Sequence, residues 1–293
     1  MIVRLRRAAV ALAIVASVTV AFAQAPHPSR IVSTSPSITE TLFALGLGDR
    51  VVGVSTYCRF PPEVVKLPKV GTFLKPNAEV IAGLRPDLVL VHAVPDGVDR
   101  QLASLHVPFV TVREGALADV FAAMRQIADA AGVSDRAGPL ISGIQRKLDD
   151  IKQRRAGRPH PRVLFIMGRQ PGALADLIAV GPGSYINDLI GIGGGTNPLT
   201  DGSPSGYLHI SMESVLRLDP DVIVDTVDMG ETEAERVDRQ RINERLWDAF
   251  GSLSAVKNRR VYAATTDALV VPGPRVVEAA EWVASLLARA DRR

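Results

Sequence analysis

Aromatic and polar side chains gather in the segments that follow the apolar runs of this chain. Tyr57 and Phe60 lie in STYCRF (55–60) and His92 opens HAVPDG (92–97). Arg169 lies in MGRQPG (167–172), and Asp267 and Arg275 fall in TTDALVVPGPR (265–275). Phe73 and Tyr207 stand in loops ahead of two short helical phrases. Aromatic faces with a few polar anchors suit a bulky ring system. Taken singly, each residue has an ordinary explanation: Phe60 and Phe73 as core, His92 as a strand end, Arg275 as a surface group near a helix start. Their convergence at the carboxyl ends of strands, where α/β proteins bind ligands, is what marks a site.

Covalent chemistry finds little support. The chain has no G-x-S-x-G, no Walker A phrase and no His-Glu-x-x-His. GIGGGTNP (191–198) follows a helical stretch instead of opening one, so it reads as a helix stop and turn. Cys58 is the only cysteine, so no intrachain disulfide can form, and with no partner base beside it the thiol reads as structural. His27, His92, His106, His160 and His209 show no metal-ligand spacing. No metal site and no resident cofactor are expected. An exported α/β enzyme using His92, Asp267 and Cys58 is the alternative from another class.

The chain is 293 residues long, 47% apolar and 22% charged, with a formal charge of +3. That composition is globular, and the length allows two domains with real cores. No basic stripe with interleaved aromatics is present, so nucleic acid is not expected as a partner. Arg4, Arg6 and Arg7 precede the apolar run Ala8–Ala23 and the small residues around Gln24. This is the pattern of a secretory signal peptide over residues 1–25, and the run is short for a bilayer span. Export without disulfides fits a bacterial periplasm.

Short apolar strands alternate with helices from Ser29 onward. RIVST, RVVGVS, DLVLV and PFVTV read as strands, and SPSITETLFALGLG as a helix with a Ser37–Glu40 capping box. Strands without polar alternation, separated by helices, predict a parallel sheet covered on both faces. Residues 29–115 form one α/β lobe on this reading. Residues 116–157 are helical, and SDRAGPLISGIQRKLDDIKQRRAG (134–157) carries Leu140, Ile141, Ile144, Leu148 and Ile151 as one stripe. Ser134 is its expected N-cap, with the regular part starting near Pro139. A second lobe over 158–293 begins at RVLFIMG and closes with the amphipathic GPRVVEAAEWVASLLARA. The predicted fold class is α/β: two Rossmann-like lobes, one long backbone helix between them, and a ligand cleft.

One phrase occurs twice. NAEVIAGLRPDLVLV (77–91) is echoed by SMESVLRLDPDVIVD (211–225), with Glu79 matching Glu213, Leu84 matching Leu218, and Pro86-Asp87 matching Pro220-Asp221. Two lobes of like construction are the simplest explanation. Each Glu falls in the first turn of a short helix, where the dipole favours a carboxylate.

SPSITE, the Tyr-x-x-Phe-Pro-Pro segment, LPKVG and the duplicated E-x-x-x-x-L-x-P-D together resemble the periplasmic substrate-binding proteins for vitamin B12, iron siderophores and haem. The resemblance covers most of residues 29–290 and is strongest to the cobalamin-binding branch. It implies a monomeric receptor that captures a corrinoid in its cleft and delivers it to a dimeric ABC permease. It implies ligand contacts from Tyr57, Phe73, His92, Tyr207 and Asp267, which Arg275 joins as a candidate contact from its place in the same loop as Asp267, and permease docking through Glu79 and Glu213. Haem or a ferric siderophore is the alternative ligand. Imidazole or phenolate from His92, Tyr57 or Tyr207 could meet a haem iron, and Arg169 or Arg275 could meet anionic siderophore oxygens.

Overall fold

The structure is a computed structural model that describes residues 27–94, 97–202, 206–226, 233–264 and 266–291. The predicted signal peptide lies outside the described residues. In the first lobe, β1 (Ile31–Ser33), α1 (Pro36–Ala44), β2 (Val51–Val54), α2 (Ala78–Gly83), β3 (Leu88–His92), α3 (Asp99–Ser104) and β4 (Phe109–Val112) follow one another. The four strands form one parallel sheet in the order β2-β1-β3-β4. All of β1 and the first four residues of β3 are buried, as strands covered on both faces must be.

Two helices come next, α4 (Leu117–Ala130) and α5 (Ser134–Arg155). The second lobe contains β5 (Val163–Gly168), β6 (Leu177–Val180), α6 (Tyr185–Ile192), β7 (Tyr207–Ile210), α7 (Met212–Leu218), β8 (Val222–Thr226), α8 (Glu233–Asp248), α9 (Ser254–Lys257), β9 (Val261–Ala264) and α10 (Val276–Ala290). Its sheet runs β7-β6-β5-β8-β9. β5, β8 and β9 are parallel, while β6 pairs antiparallel with both of its neighbours. The second sheet is therefore mixed, with two strands that the apolar pattern did not reveal. Tyr207 opens β7 and does not lie in a loop.

Two helix starts differ from the sequence reading. Ser35, not Ser37, caps α1: its Oγ accepts from Ile38 N, with Pro36 in the first turn. Glu40 is thereby released from a capping role. α5 begins at Ser134 itself, after Val133, and runs through Pro139. Residues 134–139 join the helix because Ala137 is buried on its inner face.

The repeated phrase is a clip at the amino end of each sheet. α2 and α7 are each followed by a residue at positive φ, Arg85 at 49° and Asp219 at 39°, before the proline. Asp87 then accepts from the backbone N–H groups of Ser29 and Arg30, both at 2.8 Å. Asp221 accepts from Arg162 N, also at 2.8 Å. The arginines return the bond: Arg30 Nη2 donates to Leu84 O at 2.7 Å and Arg162 Nη1 to Leu218 O at 2.8 Å. Each clip ties a helix end to the first strand of its lobe and satisfies carbonyls that the helix cannot.

α5 holds the lobes together. Its buried face is Ala137, Ile141, Ile144, Leu148, Ile151 and Arg155, and it packs on α4, α6 and α10. One hydrophobic core runs through α5 from Leu42 and Met124 to Phe165, Leu189 and Leu287. Two smaller cores lie beneath the outer helices, around Ile81 in the first lobe and Trp247 in the second. Because the main core is shared, Leu148→Ala should destabilise the whole molecule by about 2–4 kcal/mol. Both tryptophans, Trp247 and Trp282, lie in the second lobe. Urea unfolding followed by their fluorescence and by circular dichroism should coincide, and separate midpoints would contradict a shared core.

Candidate ligand-binding cleft

The aromatic wall of the first lobe stands on its strand ends. Tyr57 follows β2 and is half exposed, Phe73 precedes α2, and His92 is the last residue of β3. Their rings meet edge to face, at 5.7 Å for Tyr57–Phe73 and 5.8 Å for Phe73–His92. The backbone sets this up. Thr56 N donates to Gly71 O at 2.9 Å, which ties the two loops together. Gly71 sits at φ 99°, where a Cβ would come within 2.6 Å of Lys75 O. Only glycine makes that turn without strain, and the turn presents Phe73.

Behind this wall lies Glu114, which the sequence reading missed. It follows β4 and accepts a short hydrogen bond from Ser37 Oγ. Its Oε2 is 3.5 Å from His92 Nδ1, too far for a hydrogen bond. His92 Nδ1 is buried and has no hydrogen-bond partner among the described residues. Burial holds the His92 pKa below its usual value, so the ring is neutral at neutral pH. Burial pushes the Glu114 carboxyl up to about 7, against the lowering effect of Ser37.

The second lobe faces these groups. Tyr207 shares a hydrogen bond with Ser184, the N-cap of α6, and burial raises its pKa. Gly206, at φ 71°, lets the chain pass so close that a Cβ would meet Ser184 N at 2.7 Å. Asp267 and Arg275 follow β9, as expected, but Arg275 is not a surface residue. Its guanidinium reaches across to the first lobe and grips Glu40 with two bonds, Nε–Oε2 at 3.0 Å and Nη2–Oε1 at 2.5 Å. Its Nη1 donates to Asp267 Oδ1 at 2.8 Å, and its cationic face lies 4.4 Å from the centre of the Phe60 ring. Burial works against both charges: it pushes Glu40 up, opposed by Arg275, while the two carboxylates hold Arg275 above its usual value. Two main-chain donors also tie α6 to the start of α4: Tyr185 N–H donates to Gly115 O and Leu117 N–H to the Asp188 carboxylate Oδ2, both at 2.8 Å.

Arg169 is engaged elsewhere. It donates to Asp225 Oδ2 at 3.0 Å and to Asn243, within a buried cluster that also takes a bond from Trp247 Nε1. This arginine supports α8 instead of facing the other candidate residues. Cys58 is buried, 3.2 Å from Thr39 Oγ1, and burial raises its pKa, so it is an inert thiol. Glu79 and Glu213 occupy the second position of α2 and α7, both exposed, behind the caps Asn77 and Ser211. Each helix ends where a central strand begins, so its first turn points toward the carboxyl edge of the sheet.

A family profile described as periplasmic binding protein matches residues 31–268. The chain belongs to the periplasmic binding protein family. An ABC transporter substrate-binding lipoprotein of Bacillus subtilis, YvrC, is 31% identical over 88% of this chain and 79% of its own. The vitamin B12-binding protein of Vibrio cholerae is 29% identical over 92% of both chains. Among solved structures, the periplasmic heme-binding protein RhuT of Roseiflexus superposes with a TM-score of 0.76 at 26% identity, covering 90% of this chain and 99% of that one. The two-lobe architecture of this chain is shared with that solved heme-binding protein.

In this binding protein the raised Glu114 pKa sets a sign for stability. The unfolded carboxyl releases its proton near 4.5, while the folded one keeps it until about 7. Stability therefore declines across that window as pH rises. Glu114→Gln should match the parent below the window and exceed it above, by up to roughly 3 kcal/mol, in urea titrations run at acidic and mildly alkaline pH.

Proposed function

We propose that this protein is exported to the periplasm, binds a corrinoid between its lobes and delivers it to an ABC permease. Its export rests on the N-terminal charged and apolar run. The ligand assignment rests first on what the cleft offers. Tyr57, Phe73, His92 and Tyr207 supply ring surface, and the nearby cation, Arg275, is already held by Glu40 and Asp267. A site whose arginine is occupied by carboxylates suits a large, amide-rimmed chelate of low negative charge. It suits an anionic ferric siderophore poorly, since such a ligand needs free guanidinium groups. The likeness to a vitamin B12-binding protein over nearly the full chain supports the same reading.

Haem is the second reading, favoured by the superposition on a heme-binding protein. The phenol of Tyr57, half exposed in the loop after β2, is a group that iron could use. Titration of the mature protein with cyanocobalamin, aquocyanocobinamide, haemin and a ferric hydroxamate, followed by calorimetry and visible absorbance, tests both. One-to-one saturation by a corrinoid without chemical change is expected. Saturation by haemin alone, with a shifted Soret band, would replace the corrinoid assignment.

The permease is engaged through Glu79 and Glu213 on this reading. Both carboxylates are exposed and occupy equivalent places in the two lobes. Exposed charges of this kind govern orientation and encounter more than affinity. Glu79→Ala with Glu213→Ala should abolish most uptake in a reconstituted importer while ligand affinity stays within about twofold. Equal loss of both would remove the docking role.

A further inference from the structure

The carboxyl of Glu114 is out of place in a floor made only to support aromatic rings. It stands at the end of β4, anchored on one oxygen by Ser37 of α1. Its second oxygen faces His92 of β3 across 3.5 Å, a gap too long for a bond between them. The side chain is about one-sixth exposed, so an atom entering the cleft can reach it. The ionisable groups that bear on it are few. His92 faces it from β3, and its charge acts on Tyr207 of β7 and Tyr185 of α6, whose pKa values it helps raise after burial. None of these supplies a positive charge at neutral pH. Arg275, the guanidinium of the candidate set, is committed to Glu40 and Asp267. A ligand that brought a carboxylate or phosphate to this floor would meet an acid with no cation paired to it among the described residues.

We infer that Glu114 is a specificity residue of the cleft, which with His92 admits neutral or cationic chelates carrying an amide edge and turns away chelates that place an anion there. The inference deepens the corrinoid reading and rests on it for the ligand class. Protonated, the carboxyl can donate to an amide carbonyl; ionised, it accepts from an amide N–H and attracts positive charge. Proton and ligand affinities are linked reciprocally, so the charge of the ligand dictates the sign of the pH dependence.

The test uses the full mature protein and its Glu114→Gln variant. Three probes of different charge are titrated from mildly acidic to mildly alkaline pH: aquocyanocobinamide, a cation; cyanocobalamin, whose phosphate makes it neutral overall; and haemin, with two carboxylates. In the parent, cobinamide affinity should rise about fivefold or more as Glu114 ionises, while haemin affinity should fall. Glu114→Gln should flatten both trends and bind haemin more tightly than the parent at alkaline pH. Parallel pH profiles for parent and variant, or a variant with unchanged preference among the three, would overturn the role of Glu114. Binding of haemin but no corrinoid would instead remove the ligand class, and the haemin profiles would still decide the role of Glu114. Urea titrations of the variant separate any folding defect from a change in binding.

Discussion

Everything in this molecule hangs on the buried face of α5. A helix of 22 residues is about 33 Å long, enough to cross a domain. Its apolar stripe recurs every three or four residues and belongs to one core that continues into both lobes. Two sheets that share a core cannot rotate freely, because tightly packed interiors do not deform by degrees. The cleft is therefore built at nearly its working width. The Arg275–Glu40 pair, the Tyr185–Gly115 backbone bond and the Leu117 N–H to Asp188 carboxylate bond reinforce this. A fixed cleft selects its ligand by surface and charge more than by closure around it.

The electrostatics of that cleft follow from one choice, a single arginine placed between carboxylates of opposite lobes. Burying Glu40 alone would be costly, and breaking such a pair by removing one member typically destabilises by about 3–5 kcal/mol. The bidentate grip suits guanidinium geometry, which lysine could not reproduce. Once Arg275 is so used, the candidate residues left among the described ones are the aromatic Tyr57, Phe73, His92 and Tyr207 and the acid Glu114.

The sequence exposed the architecture well because the signals were strong. Fully apolar strands, a long helical stripe and a repeated phrase each correspond to an observed element. β6 and β7 escaped because LIAV is short and YLHI alternates only weakly, so neither stood out from loop sequence. Glu40 was misread because Ser37 and Glu40 have capping spacing, but Ser35 took the cap and a partner 235 positions away took the carboxylate. Glu114 carried no signal: an acid in REGAL looks like any surface loop residue until the fold buries it. Arg169 illustrates the reverse, since it does follow a strand, while its partner, Asp225, lies within β8, which pairs with that strand in the sheet. Pair identities across the fold are three-dimensional facts, and spacing in one dimension does not contain them.

The aspartate–arginine clips have a consequence for how such a molecule can change. They anchor the amino edge of both sheets through main-chain groups, at the border opposite the candidate cleft. Loops at the opposite border can then be lengthened, shortened or rewritten without shifting the strands that carry them. One edge keeps the shape while the other is free to be retuned, so a lineage of these receptors can acquire new cargo by altering a handful of loop residues on an unmoved frame.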